Sequence, residues 1–162
     1  MLSITTGCMY AGKTTKLIND IPTSGVTLVV DYEKDKLPYA GTLSSHDNTT
    51  VNCIRTGTLS SLSTLRVDTI LINEAQFFEK LKTFTLKNVL LGKTVLIYGL
   101  DGDFKQNSFG EILDLIPHCD TFTKLYAKCS CGSNASFSKR LTKNSEQYGP
   151  HDTYVAVCRK CY

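Results

Sequence analysis

The residues predict an α/β protein: a parallel sheet organised around a glycine-rich loop, with a small cysteine-clamped β subdomain behind it. One sign is the stretch Gly7-Cys8-Met9-Tyr10-Ala11-Gly12-Lys13-Thr14, of the form G-x-x-x-x-G-K-S/T. The alternating run Leu2 to Thr6 before it reads as a strand, and Thr15 to Ile21 after it reads as the first turns of a helix. Another is a series of β-branched apolar runs separated by helical or turn-forming residues, the pattern of right-handed βαβ units. The last is the placing of Cys129, Cys131, Cys158 and Cys161 in two tight pairs.

A strand, a glycine loop and a helix in that order make a phosphate site. Gly7 and Gly12 let the backbone turn tightly, so successive N–H groups can point at one anion. The helix start adds open N–H groups and positive dipole. Lys13 can then reach the outer phosphates, and the Thr14 hydroxyl can ligate Mg²⁺. Gly7, Cys8, Met9, Tyr10, Ala11, Gly12, Lys13 and Thr14 are therefore the candidate P-loop, or nucleotide-binding, residues.

Composition narrows the class. With 162 residues, 41% hydrophobic and 20% charged, the chain suits one medium domain with an appendage, neither disordered nor membrane-spanning. No apolar run approaches the roughly 20 residues of a spanning helix, and no signal-peptide pattern opens the chain. A cytosolic protein is expected. The net charge of +3, from 18 Lys and Arg against 15 Asp and Glu, is a weak excess without a dense basic stripe, so no nucleic-acid partner is expected. Seven cysteines in such a chain favour metal over disulfide where they are paired.

Along the chain, Val26 to Tyr32 reads as a buried strand. Residues 33–50 lack a clean period and read as a long loop over the site, with Asp35, His46 and Asp47 as solvated polar groups or contributors to it. Val51 to Arg55 reads as a short strand, Leu59 to Leu65 as a short amphipathic helix and Val67 to Ile72 as another buried strand. The last ends in Asn73-Glu74-Ala75-Gln76-Phe77-Phe78. Ligands of open α/β sheets bind outside the carboxyl ends of the strands, which places Asn73 and Glu74 at the chemistry. An acid there can hold a metal's water shell or take a proton; the alternative is that Glu74 caps a helix beginning near Gln76. Phe77 to Leu91 has mostly helical spacing and ends at Gly92. Lys93 to Leu100 reads as a strand running into a second loop on the same edge, Asp101 to Gly110. There Phe104 and Phe109 either plug the core or offer an aromatic platform for a base. A helix from Glu111 to Ile116 should close at Pro117, and Phe122 to Ala127 reads as a last strand.

The tail differs in kind, with a boundary near Lys128: an α/β body over residues 1–128 and a subdomain over 129–162. Cys129 and Cys131 are separated from Cys158 and Cys161 by 26 residues. Four thiolates suit a tetrahedral Zn²⁺ that staples a unit too small for its own core, with no open position for catalysis; four reduced, metal-free cysteines are the other reading. Ser136 to Leu141 looks like a strand and Thr142 to Asp152 like a hairpin tip turning at Gly149-Pro150.

Five separated stretches together resemble one family. They are the glycine loop through Thr15, Asn73 to Phe78, Leu100 to Phe104, Ala135 to Leu141, and Val157 to Tyr162. In order and spacing they resemble the type II thymidine kinases, cellular and viral, with poxvirus-like members nearest through S-F-S-K-R-L and C-R-K-C-Y. The resemblance suggests a compact viral member trimmed at both ends, acting in the host cytoplasm. It implies transfer of the γ-phosphate of ATP to the 5′-hydroxyl of thymidine or deoxyuridine, with Mg²⁺, a structural Zn²⁺ on the four cysteines, a homotetramer and feedback inhibition by thymidine triphosphate. It makes Glu74 the catalytic carboxylate, Lys13 and Thr14 the phosphate and Mg²⁺ contacts, and Phe104 an aromatic beside the base. Met9, Leu100 and Tyr154 become the apolar wall around it. Gln76, Phe77, Phe109 and Ser138 join the substrate-binding set. Ser145, Glu146, Gln147, Tyr148 and Gly149 fall where the family's zinc-held lasso reads the pyrimidine edge through its main chain.

The chain departs from the family pattern in four places. Asn73 stands where the family has an Asp, so its amide must hold any metal-bound water without a charge. Leu37 stands where the family has an Arg two residues after an Asp, here Asp35; Asp35 and the substitute cation Arg140 complete the nucleotide-binding set. Cys8 replaces a Pro and should loosen the loop slightly. The first cysteine pair has a one-residue gap where the second has two, and the lasso is slightly short. Two rivals follow: a nucleotide-binding relative that no longer transfers phosphate, and a P-loop ATPase with a zinc ribbon acting on nucleic acid.

Overall fold

Period-2 burial on both faces turns the apolar runs into one central sheet. The computed structural model describes residues 1–45, 47–142 and 153–162. In chain order they form β1 (Leu2–Gly7), α1 (Lys13–Asn19), β2 (Thr27–Tyr32), β3 (Tyr39–Ser44), β4 (Thr50–Thr56), β5 (Thr69–Ile72), α2 (Leu81–Leu90), β6 (Thr94–Gly99) and β7 (Thr121–Leu125). The sheet order is β3-β4-β2-β5-β6-β1-β7. All neighbours pair in parallel except β3, which runs antiparallel to β4 at one edge. The fold is thus mixed α/β with a parallel-dominated sheet, as expected.

Alternate residues of each central strand feed opposite layers. Ile70 and Ile72 of β5, with Val95 and Ile97 of β6, join Leu2, Ile4, Val30, Leu81 and Ile112 on one face. Leu71 and Tyr98 face the other way, onto Leu17 of α1, Val29 and Leu43. Burial on both faces is why these strands read as near-continuous apolar runs; each such side chain contributes about 1.5–3 kcal/mol. Tyr98 also donates its hydroxyl to Asp20 at 2.6 Å, and Asp20 caps the C-terminus of α1. That bond ties the helix after the glycine loop to the centre of the sheet. Burial, then the Asp20 carboxylate, pushes the Tyr98 phenol above its ordinary range.

Four local expectations are corrected. Residues 33–50 contain β3, an edge strand in which Leu43 is the one buried side chain; an exposed edge leaves little apolar alternation to read. Leu59 to Leu65 forms turns, not a helix. Thr58 and Ser60 bond each other and the nearby backbone, the local competition that keeps hydroxyl residues out of short helices. Leu59 still reaches the core, while Leu65 is 91% exposed. The helix expected from Gln76 through Leu91 is broken: a 3-10 turn spans Ala75–Phe77, and α2 starts only after Lys80 at φ 59°. The Glu111 carboxylate then accepts from the Lys80 and Lys82 amides at 3.3 and 2.8 Å and caps α2 from across the fold. Finally, the helix expected to close at Pro117 is a 3-10 segment, Leu113–His118, with Pro117 inside it.

The tail adds β8 (Ala127–Lys128), β9 (Asn134–Ala135), β10 (Phe137–Arg140) and β11 (Tyr154–Val157). β8 pairs with β9, and β10 with β11, both antiparallel. The expected strand at 136–141 is β10; β11 was not foreseen. A small separate cluster forms here from Ala127, Cys129, Ala135, Val157 and Cys158, and it includes Cys8 and Ala11 of the glycine loop. His46 and residues 143–152 of the expected hairpin tip, with Ser145, Glu146, Gln147, Tyr148 and Gly149, lie outside the described residues.

Candidate active site

The carboxyl ends of β1, β2, β5 and β6 open onto one cavity of about 490 Å³, where ligands of such sheets belong. Met9, Tyr10, Gly12, Lys13 and Thr14 enter it from the glycine loop. Glu74, Gln76 and Phe77 enter from the end of β5, and Leu100, Phe104 and Phe109 from the loop after β6. Ser138 and Tyr154 reach in from the tail. β6 lies between β1 and β5, so the glycine loop and Glu74 stand two strand spacings apart, about 10 Å. Thr15, Tyr32 and Asp103 also line the cavity and were not named as site residues from the sequence, and Glu33 and Lys34 line it from the segment expected to lie over the site. Tyr32 to Lys34 follow the end of β2, and the strand-end rule applied there would have found them.

Gly12 takes φ +83° at the start of α1, a left-handed turn that suits glycine. The first amides of α1 have no partner within the helix. Lys13 is buried and donates to the Cys8 carbonyl at 2.8 Å, so its ammonium is folded back under the loop. Burial pulls it below the ordinary lysine range, opposed by the charges of Glu74, Cys8 and Asp101.

Glu74 adopts φ 49°, ψ 39° at the N-terminus of the 3-10 turn and makes no side-chain capping bond there. Its carboxylate accepts from the Gln76 amide at 2.6 Å. Gln76 is itself locked, because its carbonyl oxygen accepts from the Leu100 amide at 2.9 Å. Gly110, at φ +64°, passes so close to the main chain of Gln76 that a Cβ there would lie 2.2 Å from its backbone carbonyl oxygen. A left-handed non-glycine residue costs on the order of 1–3 kcal/mol; here it turns the acid out of the strand and into the cavity.

Asn73 turns the other way. It is buried and donates to Asp31 at 2.8 Å. Arg55 approaches the same carboxylate at 3.4 Å and Glu33 at 3.5 Å, and Tyr39 on β3 donates to Glu33. A chain of polar groups thus runs from the residue before Glu74 to the edge strand.

Aromatic rings form one wall. Tyr32 stacks on Phe77 at 5.0 Å, and Phe109 meets Phe77 edge-on at 5.2 Å. Phe104 lies beneath the Arg140 guanidinium at 3.8 Å, and Arg140 donates twice to the Tyr154 hydroxyl, at 3.1 and 2.9 Å. Arg140 therefore stands behind the wall rather than in the cavity lining. Gly7, Cys8, Ala11, Asn73 and Asp35 are also outside that lining.

The tail is bonded to the glycine loop. Ser138 accepts from the Met9 amide at 2.9 Å, and Cys8 donates its thiol to the Ala135 carbonyl at 3.3 Å. Cys8, expected to loosen the loop, instead fastens it to β9. The sulfurs of Cys129, Cys131, Cys158 and Cys161 lie within 4.8 Å of one another, and Cys131 and Cys158 are 3.6 Å apart. Tetrahedral zinc with Zn–S near 2.3 Å needs sulfurs about 3.8 Å apart, so the cluster could hold it. The Ser133 hydroxyl and backbone hold the Cys131 thiol down at about 6, which favours the thiolate a metal requires. Neighbouring thiols, Cys131 first, push Cys161 up to about 12: one negative sulfur discourages the next until a cation is present.

The family model described as "Thymidine kinase" matches residues 1–162. The chain belongs to the thymidine kinase family. It is 39% identical to the thymidine kinase of Myxoma virus (strain Lausanne) over 96% of this chain and 92% of the relative. It is 37% identical to a thymidine kinase of Oryza sativa subsp. japonica, over 99% and 65%. It is 35% identical to the cytosolic thymidine kinase of Bos taurus, over 99% and 71%. Similarity thus extends to viral and cellular thymidine kinases alike, and it favours neither rival weighed from the sequence. Among the described residues of this thymidine kinase family member, no helix is long and apolar enough to cross a membrane.

Proposed function

We propose that this chain transfers the γ-phosphate of ATP to the 5′-hydroxyl of thymidine or deoxyuridine. The observation that carries this is a single cavity lined by Lys13 and Thr14 of the glycine loop on one side and the Glu74 carboxylate on the other, in a chain whose relatives are thymidine kinases. Lys13 swings from the Cys8 carbonyl to the outer phosphates, and the amides of the glycine loop cradle them. Mg²⁺, held by Thr14, would neutralise the phosphate oxygens; Asn73, expected from the sequence to hold its water, faces Asp31 instead. Glu74, fixed by Gln76, draws the proton from the sugar hydroxyl. Phosphoryl transfer depends on such positioning and charge neutralisation more than on covalent chemistry.

Phe104, Leu100, Met9 and Tyr154 hold the base, and Phe77, Phe109 and Ser138 complete its surroundings. Ser138 and Tyr154 bring the tail to the acceptor side; zinc held by Cys129, Cys131, Cys158 and Cys161 would fasten it there beside the Ser138 and Cys8 bonds, so that water is kept from the transferring phosphate. Asp35 belongs to the nucleotide side in this scheme, whereas Arg140, expected there from the sequence, acts on the base side through Phe104. The enzyme works in the host cytoplasm as a homotetramer inhibited by thymidine triphosphate. The test is transfer from γ-labelled ATP across the four deoxynucleosides, with and without Mg²⁺. Label in thymidine and deoxyuridine monophosphates is expected; label in none at high enzyme, with thymidine still bound, would overturn the proposal.

A further inference from the structure

We infer that Tyr162 is a positioning residue for thymidine, acting by fixing the main chain under Phe104. The inference rests on the proposal that Phe104 is the base platform. The loop bearing Phe104 is braced on one side by its own bonds. Gly102 and Ser108 bridge its stem, and the Asp103 carboxylate accepts from the Lys105 and Asn107 amides at 2.8 and 2.9 Å. The Phe104 carbonyl instead accepts from the Tyr162 hydroxyl, 58 residues away in sequence.

Tyr162 is held firmly enough to serve. Its amide donates to the Cys158 carbonyl at 3.0 Å, the same oxygen that accepts from Cys161 at 3.1 Å. The turn that presents the second cysteine pair therefore also aims the tyrosine. Its ring meets Phe137 edge-on at 5.7 Å. Phe104 is thus gripped twice from the tail: through its ring by Arg140 and through its backbone by Tyr162. A ring that must lie flat beside a base loses affinity when its loop tilts, because misplacement of about 1 Å is enough to weaken a positioned contact. Lys13 and Glu74 make no bond to this pair, so the effect should fall on the nucleoside and spare ATP.

The test uses the full chain with zinc. Tyr162→Phe removes the hydroxyl and keeps the ring. The expected result is a rise of about three- to tenfold in the thymidine KM and in the thymidine dissociation constant by calorimetry, the range of one neutral hydrogen bond. The kcat, the KM for ATP, the zinc content and the melting temperature should stay near wild type. Phe104→Ala should weaken thymidine binding more, and adding Tyr162→Phe to it should change nothing further. Unchanged thymidine affinity in Tyr162→Phe alongside a weakened Phe104→Ala would overturn the role of Tyr162 alone, as would full additivity of the two. Unchanged affinity in Phe104→Ala would instead remove the base platform, and the inference with it.

Discussion

The Asn73 amide donates to the buried Asp31 carboxylate at 2.8 Å. The residue beside Glu74 is neutral because the position it faces already carries a negative charge. Restoring an acid with Asn73→Asp would set two carboxylates against each other, with only Arg55 at 3.4 Å to offset them. A charge-assisted bond worth about 1.5–3 kcal/mol would become a repulsion. The variant should lose about 2–3 kcal/mol of stability by denaturant unfolding, and combining it with Asp31→Asn should recover most of the loss. Full stability of Asn73→Asp alone would show that the pair does not constrain this position.

Removal of metal should act through the tail. Purified protein is expected to contain one zinc per chain. Chelation, or Cys158→Ser, should lower the melting temperature and weaken thymidine binding more than ATP binding, since Ser138 and Tyr154 reach the cavity from this unit. A clean zero by metal analysis of active protein would remove the zinc account.

In the metal-free protein the Cys131 and Cys161 thiols should be unequal. Cys131 is exposed and held at about 6 by Ser133, so its thiolate dominates above that pH and alkylation by iodoacetamide should climb through pH 6. Cys161, pushed to about 12 by its neighbours, should stay protonated and react more slowly than Cys131 at pH 7. Mass spectrometry of the labelled cysteines reads the order. Ser133→Ala should move the Cys131 midpoint upward; equal labelling of both would contradict the assignment. Because folding lowers the Cys131 acid from 9 to about 6, its contribution to stability is full above 9 and is lost as pH falls from there through 6.

Tyr98→Phe should cost about 1.5–3 kcal/mol by losing the bond to the charged Asp20, while leaving the apolar packing of the ring intact. Equilibrium unfolding checks it, and a change below about 0.5 kcal/mol would show that Asp20 is satisfied by Lys16 at 2.8 Å without help.

The sequence made the centre of this molecule legible and its margins much less so. Strands such as β5 and β6 are buried on both faces and carry their signal locally. β3 escaped because it is an exposed edge, and β11 because its partner β10 lies across the segment 141–153. At the site, the meeting of Lys13 and Glu74 in one cavity could be expected because a glycine loop and a strand end are local patterns. The clamp of Gln76 on Glu74 depends on Leu100, 24 residues away, and the Asn73–Asp31 contact spans 42 residues. Such pairs follow from strand order, which local patterns do not contain. Cys8 shows the same limit: read within its loop it loosens, but across the fold it binds Ala135.

The most direct test of the site is Glu74→Gln, measured by single-turnover transfer from ATP to thymidine beside calorimetric binding of each substrate. A loss of about 10²- to 10⁴-fold in transfer, with both dissociation constants within a few-fold of wild type, is the predicted result. Transfer near the wild-type rate, or loss of binding and transfer together, would contradict the role given to that carboxylate.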